Sequence, residues 1–328
     1  MLSGQPERGA PKGAALPRFS RDDLKTIVLL PFGFLVAWCT PERSWSLVGS
    51  ALARLRRSRV ARLREQIRAL VGQRRLAIPI DAAALAYLAN RPLTKLQTLR
   101  LHAPYGWHPQ VRLEGREHVE EALAQGRGAI LWIAPFLFAS ILSKMALHRT
   151  GFAISHLSRH DHGFSKSAFG IRFLNPLRTS IEHRYVEPIV IGPNGSVRDP
   201  IMALHRRLAQ NGLVSIAVGA QGAQVLPAPV FEGAVPVATG VPKLMLRTGA
   251  SLLPVFAIRM GPSEFVTFVD PPIRAPGSLP PAAIVSAVIE ELGRRLERYI
   301  VRWPDQFIWH DLSPTRANRV PGPRSAQA

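Results

Sequence analysis

A histidine, an aspartate and a second histidine stand consecutively at His160-Asp161-His162, immediately after Arg159 and close behind the apolar run Phe152–Leu157. Histidine ionises near neutral pH, and a neighbouring carboxylate that orients the ring makes it a general base for a hydroxyl or amine. The same triplet also suits a polar loop, its histidines capping a helix over Phe164–Phe169 or facing water. His156 lies inside the apolar run and reads as a core histidine with a satisfied ring. Two histidines two residues apart are a weak metal signature, so neither a metal nor a cofactor is assigned. Ser165, Lys166 and Arg172 are candidates to face a phosphate or carboxylate, with surface contacts as the alternative. Glu232 is one of few carboxylates in the stretch Gly219–Gly240, where an exposed turn is the plainer reading.

The triplet is positioned by a strand–helix–strand unit. A glycine turn at Gly126–Gly128 leads into the apolar run Ala129–Ala134, Pro135 breaks it, and Phe138–His148 has helical character. A turn at Gly151 and the run Phe152–Leu157 complete a βαβ unit of a parallel sheet. Chemistry in such sheets collects beyond the carboxyl ends of the strands, here Ala134-Pro135-Phe136 and Ser158-Arg159-His160. If the two strands are neighbours, those ends lie about 5 Å apart. Further strands are expected at Val111–Glu114, within Glu182–Ile191, and at Leu213–Val218, Ser251–Arg259 and Glu264–Asp270. Helices are expected at Asp81–Leu101, Glu117–Gln125, Arg198–Gln210 capped by Ser196, Val241–Thr248 capped by Thr239, and Ala282–Arg302. Gly219–Gly240 reads as a long loop of the kind that serves a site. The fold class is α/β: a mixed, largely parallel central sheet flanked by helices, with an N-terminal membrane-associated helix.

With 328 residues and 47% hydrophobic composition, the chain can build one large domain or two small ones. It carries 42 Lys and Arg against 22 Asp and Glu, a net charge of +20. That balance suits anionic lipid or an acidic protein; nucleic acid is disfavoured, because no zinc-finger spacing or RNA-reading aromatic motif is present. A single cysteine, Cys39, excludes an internal disulfide and fits a reducing compartment. Lys25–Cys39 is almost wholly apolar but shorter than the roughly 18–20 residues of a spanning helix, and Pro31 interrupts it. A monotopic or short spanning anchor is the preferred reading, with a buried core helix as the alternative. A cleaved signal peptide is disfavoured, since no small-x-small site follows and Trp38 precedes the cysteine. Ser46–Arg75 spaces nine arginines between apolar residues as one amphipathic basic helix, suited to anionic membrane or else to ordinary packing with a charged face.

Three further stretches carry a family likeness. Val111–Trp132 (VRLEGREHVEEALAQGRGAILW), Phe231–Ala250 and Leu296–Trp309, ending in Pro304-Asp305-Gln306-Phe307-Ile308-Trp309, resemble the lysophospholipid acyltransferase superfamily. The nearest branch is the lipid A late acyltransferases, and the likeness runs from Leu24 to Leu312. It implies a glycerolipid acyltransferase-like fold, divided as a disordered tail (1–23), a membrane anchor and basic helical region (24–110), an acyltransferase-like domain (111–312) and a second disordered tail (313–328). It implies an enzyme at the cytoplasmic face of a bacterial inner membrane. The enzyme would move a fatty acyl group from acyl carrier protein or acyl-CoA to a lipid or glycolipid such as a lipid A precursor, without a cofactor. By the same resemblance Arg159, Arg198, Phe231, Gly233, Thr239 and Gly240 would bind substrate. The family's base and its acid five residues later fall at Pro135 and Ser140, and a second acidic position falls at Gly219-Ala220-Gln221. None of these residues can take a proton from the acceptor. Two readings follow. In one, the base has moved to His160 or His162, oriented by Asp161; in the other, the chain is a non-catalytic relative that binds lipid or a partner protein.

Overall fold

A computed structural model describes residues 17–192, 198–274, 277 and 279–314. The chain opens with helices α1 (Arg21–Cys39), α2 (Glu42–Leu55), α3 (Arg57–Val71) and α4 (Ile80–Arg100). Then β1 (Gln110–Glu114), α5 (Arg116–Ala124), β2 (Ala129–Ile133), α6 (Ala139–Arg149) and β3 (Ile154–Arg159) follow. After a single π-helical turn at Gly170–Leu174 come α7 (Pro176–Glu182), β4 (Glu187–Ile191), α8 (Arg198–Ala209) and β5 (Leu213–Ala217). The chain ends with β6 (Val225–Val230), β7 (Gly233–Ala238), α9 (Gly240–Thr248), β8 (Ser251–Arg259), β9 (Glu264–Val269), α10 (Pro281–Arg302) and β10 (Ser313–Pro314).

The main sheet has seven strands in the order β1-β9-β8-β2-β5-β3-β4. All its pairings are parallel except β8 with β9, so the sheet is mixed and largely parallel, as expected. Every residue of β2 is buried, which is why its sequence is a continuous apolar run and does not alternate. One expectation fails here. β2 and β3 are not neighbours, because β5 lies between them and pairs with both. Their carboxyl ends are therefore two strand spacings apart, about 10 Å.

Gly219–Gly240 is mostly not a loop. β6 and β7 form an antiparallel hairpin, joined in a second sheet by β10. Pro227 and Pro229 fall on alternate residues of β6, the edge strand, and Pro227 faces Pro236. Alternate spacing points both missing N–H groups to the unpaired edge, where no ladder bond is lost. Gly293 of α10 lets this hairpin approach closely, since a Cβ there would stand 2.2 Å from the Pro229 carbonyl oxygen.

The basic stretch is two helices, α2 and α3, because the chain turns at Arg56 (φ −95°, ψ 45°). Among the described residues no helix is long and apolar enough to cross a membrane. α1 nevertheless leaves Leu24, Val28, Leu29, Phe32 and Leu35 exposed while packing against α4. Its start is fixed by a capping box in which Ser20 and Asp23 bond reciprocally. Asp23 is fully buried and also accepts a hydrogen bond from Ser167 Oγ at 2.6 Å, which pins α1 to the segment after His162. No helix spans Phe164–Phe169: the chain runs through bends held by Asn175 as far as Ser167, and Ala168 and Phe169 open the helical turn that follows. The tails expected at 1–23 and 313–328 are described only from residue 17 and to residue 314, and Ser196 lies outside the described residues.

Candidate functional site

Beyond β2, Pro135 is buried and sealed. Its carbonyl accepts from Ile308 N at 3.0 Å, Leu137 N donates to Gln306 O at 2.8 Å, and Phe136 bridges to Phe307. Phe136 also meets Phe256, Tyr299 and Phe307 edge-on, so this strand end closes on an aromatic cluster. The closing segment is itself locked. Gln306 accepts from Arg259 N at 2.8 Å and donates to Arg259 O at 3.0 Å.

Polar chemistry gathers one helical turn further on. Ser140 and Lys144 lie four residues apart on one face of α6, and Arg178 and Glu182 do the same on α7. Lys144 Nζ is 2.7 Å from Glu182 Oε2, with both side chains 3% exposed. Glu182 Oε1 accepts from Ser140 Oγ at 3.0 Å and from Arg178 Nε at 3.1 Å, and lies 3.1 Å from His162 Nε2. Arg178 also donates to Ser140 Oγ at 2.7 Å. Burial disfavours charge on Glu182, yet the Lys144 ammonium, the His162 bond and Arg178 together hold its carboxyl well below the usual range. Burial pushes the Lys144 ammonium down, against the pull of Glu182.

The sequence-based candidates separate. His162 joins this network, with its side chain 32% exposed. Asp161 does not orient it: both its oxygens take the Arg159 guanidinium, at 2.8 and 3.1 Å, and that bond holds its carboxyl low. The carboxylate bonded to His162 is Glu182. His160 donates its backbone N–H to Ile191 O at 3.1 Å, and its Nε2 is buried without a partner among the described residues. His156 is buried and joined through Nδ1 to Ser215 Oγ at 2.9 Å. Burial, with Lys144 nearby, lowers its pKa to about 3, so it stays neutral.

The residues carried over by resemblance lie elsewhere. Arg198 is exposed at the start of α8. Phe231 turns the β6–β7 hairpin with φ +51°, its N–H donating to Glu297 Oε1 at 2.5 Å, and Gly233 pairs with Val230. Thr239 stands at the N-cap position of α9 but makes no side-chain capping bond; its hydroxyl donates to the Gln224 carbonyl at 3.4 Å, and Gly240 opens the helix. Gly219-Ala220-Gln221 follows β5 and holds the hairpin by accepting Ala238 N at 2.8 Å. Glu182, Lys144 and Arg178 escaped the sequence reading, although each belongs to a four-residue polar pair that marks a helix face.

A buried carboxylate held charged is a poor base but a good orienter. With Nε2 on Glu182, the His162 ring presents Nδ1 as its proton acceptor, and Nδ1 has no partner among the described residues. The mixed sheet and its helical cover define an α/β protein, with a histidine–carboxylate pair lying beyond the strand ends. The chain belongs to the bacterial lipid A biosynthesis acyltransferases, whose family model matches residues 21–311. That membership supports a lipid acyltransferase. Among solved structures, the 1-acyl-sn-glycerophosphate (LPA) acyltransferase PlsC from Thermotoga maritima is similar at 13% identity. The match covers 86% of this chain and 99% of that one, with a TM-score of 0.37. No curated protein matches the chain.

Proposed function

We propose that the protein transfers a fatty acyl group from a thioester, acyl carrier protein or acyl-CoA, to a hydroxyl or amine of a lipid or glycolipid such as a lipid A precursor. The work is done at the cytoplasmic face of a bacterial inner membrane. The observation that carries this reading is the His162–Glu182 contact at 3.1 Å, made by the same carboxylate oxygen that binds Ser140. It sets a base–acid pair beside the position where the family's acid is expected. His162 Nδ1 takes the acceptor proton as the oxygen or nitrogen attacks the thioester carbon. The C–S bond then breaks, and the imidazolium returns the proton to the departing thiolate. Arg178, 29% exposed and fixed by Ser140 and Glu182, is the cation nearest at hand for the oxyanion. The exposed apolar face of α1 and the arginines of α2 and α3 hold the protein at anionic lipid.

Washed membranes with a labelled acyl carrier protein thioester, followed for label entering lipid, provide the test. His162→Ala is expected to lower transfer by about 10²-fold or more, the size of a general-base contribution. Asp161→Asn is expected to stay near wild type, because its partner is Arg159. Full activity in His162→Ala would remove the site assignment. Absence of transfer from any thioester, with lipid binding retained, would favour the second reading, a lipid-binding relative. The sealed Pro135 supports that reading.

A further inference from the structure

At the amino end of the central sheet, opposite the Glu182 network, three arginines from separate elements line one cavity of about 450 Å³. Arg127 comes from the turn before β2, Arg206 from the last turn of α8 and Arg247 from the last turn of α9. His205 stands beside them, and Met202 and Leu208 give the wall an apolar part. Among the described residues no carboxylate lines the cavity. Among the described residues, none of the three guanidiniums has a hydrogen-bond or ion-pair partner. Other surface arginines do: Arg207, next in the chain, pairs with Glu187, Arg116 with Glu120 and Arg294 with Glu291.

Basic residues at helix C-termini are expected, since each terminus carries roughly half a negative charge. Two termini meet here, so they offset about one of the three positive charges and leave roughly two. Three planar forks around a concavity, with that surplus, match the oxygens of a phosphate group, which guanidinium binds in bidentate fashion. The cavity also lies within the range of about 300–1,000 Å³ usual for small-molecule sites. We propose that it binds a phosphate-bearing anion of the pyrophosphate or phosphomonoester class, either free or as a headgroup. The five residues of β2, at about 3.3 Å each, separate it from the strand ends where the proposed transfer takes place. It is a second site, and the proposal does not depend on acyl transfer.

Titration calorimetry of the full-length protein in detergent, with sodium pyrophosphate at low salt, tests this directly. Saturable one-site binding is expected, weakened about tenfold or more by each of Arg127→Ala, Arg206→Ala and Arg247→Ala. The corresponding lysine variants should lie between. Arg294→Ala, at an exposed arginine of α10, should bind as wild type, and the thermal midpoint of each variant reports that it has folded. A second arm separates the sources. If a headgroup is the ligand, pyrophosphate competes with sedimentation on phosphatidate vesicles, and the triple variant sediments less; if the ligand is free, the vesicles are indifferent to both. Unsaturable pyrophosphate binding, equal affinity in the triple variant, or saturable binding of polyglutamate alone would each overturn the proposal.

Discussion

Replacing Glu182 by glutamine keeps the shape of the buried network and removes its negative charge. At 2.7 Å the Lys144–Glu182 attraction is about 6 kcal/mol at an effective dielectric of 20. Much of that is cancelled by desolvation, and what the variant exposes is the remainder: a lysine, 3% exposed, with no counter-charge in contact. Breaking one side of such a pair costs about 3–5 kcal/mol. At about 2 °C per kcal/mol for a chain of this size, the thermal midpoint should fall by roughly 6–10 °C. The double variant Lys144→Met/Glu182→Gln removes both charges and should regain most of the loss. The pH dependence has a definite sign. The folded carboxyl titrates below its unfolded value of about 4.3, so its stabilisation is present above that pH and lost as pH falls through the folded value. Wild type and Glu182→Gln should therefore differ most at neutral pH and converge in acid. Urea unfolding at pH 7 and in steps down to about pH 3, alongside thermal scans, provides both readings. A Glu182→Gln midpoint within about 2 °C of wild type at pH 7, or a gap that widens in acid, would refute the reasoning.

The apolar face of α1 gives a second expectation. Val28 and Phe32, 66% and 65% exposed, should each contribute about 1.5–3 kcal/mol when buried in lipid. Val28→Asp with Phe32→Asp should abolish sedimentation with anionic vesicles, and unchanged binding would show that another surface makes the contact. Gln306→Ala should cost about 1–3 kcal/mol for each backbone group of Arg259 that it leaves unpaired, read from the urea midpoint.

Where a local rule governs, the sequence told the outcome. β2, β5, β8 and β9 are apolar runs of strand length, and α4 and α10 lie within a residue or two of their expected ends. Strand order is another matter. Nothing near Ala129 or Phe152 encodes that Leu213–Ala217 will lie between their strands, because that depends on a pairing made some sixty to eighty residues later in the chain. The hairpin was hidden by its composition: proline and glycine read as a loop until the unpaired edge that tolerates them is known. The candidate site followed the same division. His162 was visible as an ionisable group at a strand end. Its partner was not, because Glu182 stands at the edge of a stretch that reads as holding a strand and in fact closes a helix. The family resemblance located Pro135 and Ser140 but said nothing of Lys144 or Arg178, whose roles arise from packing α6 against α7.

The Asp23–Ser167 contact bears on how this protein can be handled. A soluble form would ordinarily be sought by trimming the apolar leading helix. Here that cut removes the buried carboxylate to which Ser167 donates, together with the two backbone carbonyls, of Pro17 and Arg18, that receive Ala168 and Phe169. Gly170 is packed so closely beneath Asp23 that a Cβ would stand 2.8 Å from its Oδ1. The segment stripped of these partners begins five residues after His162. A trimmed protein would thus carry its candidate base beside a segment that has lost these anchors, and its inactivity would say nothing about the chemistry of the intact chain.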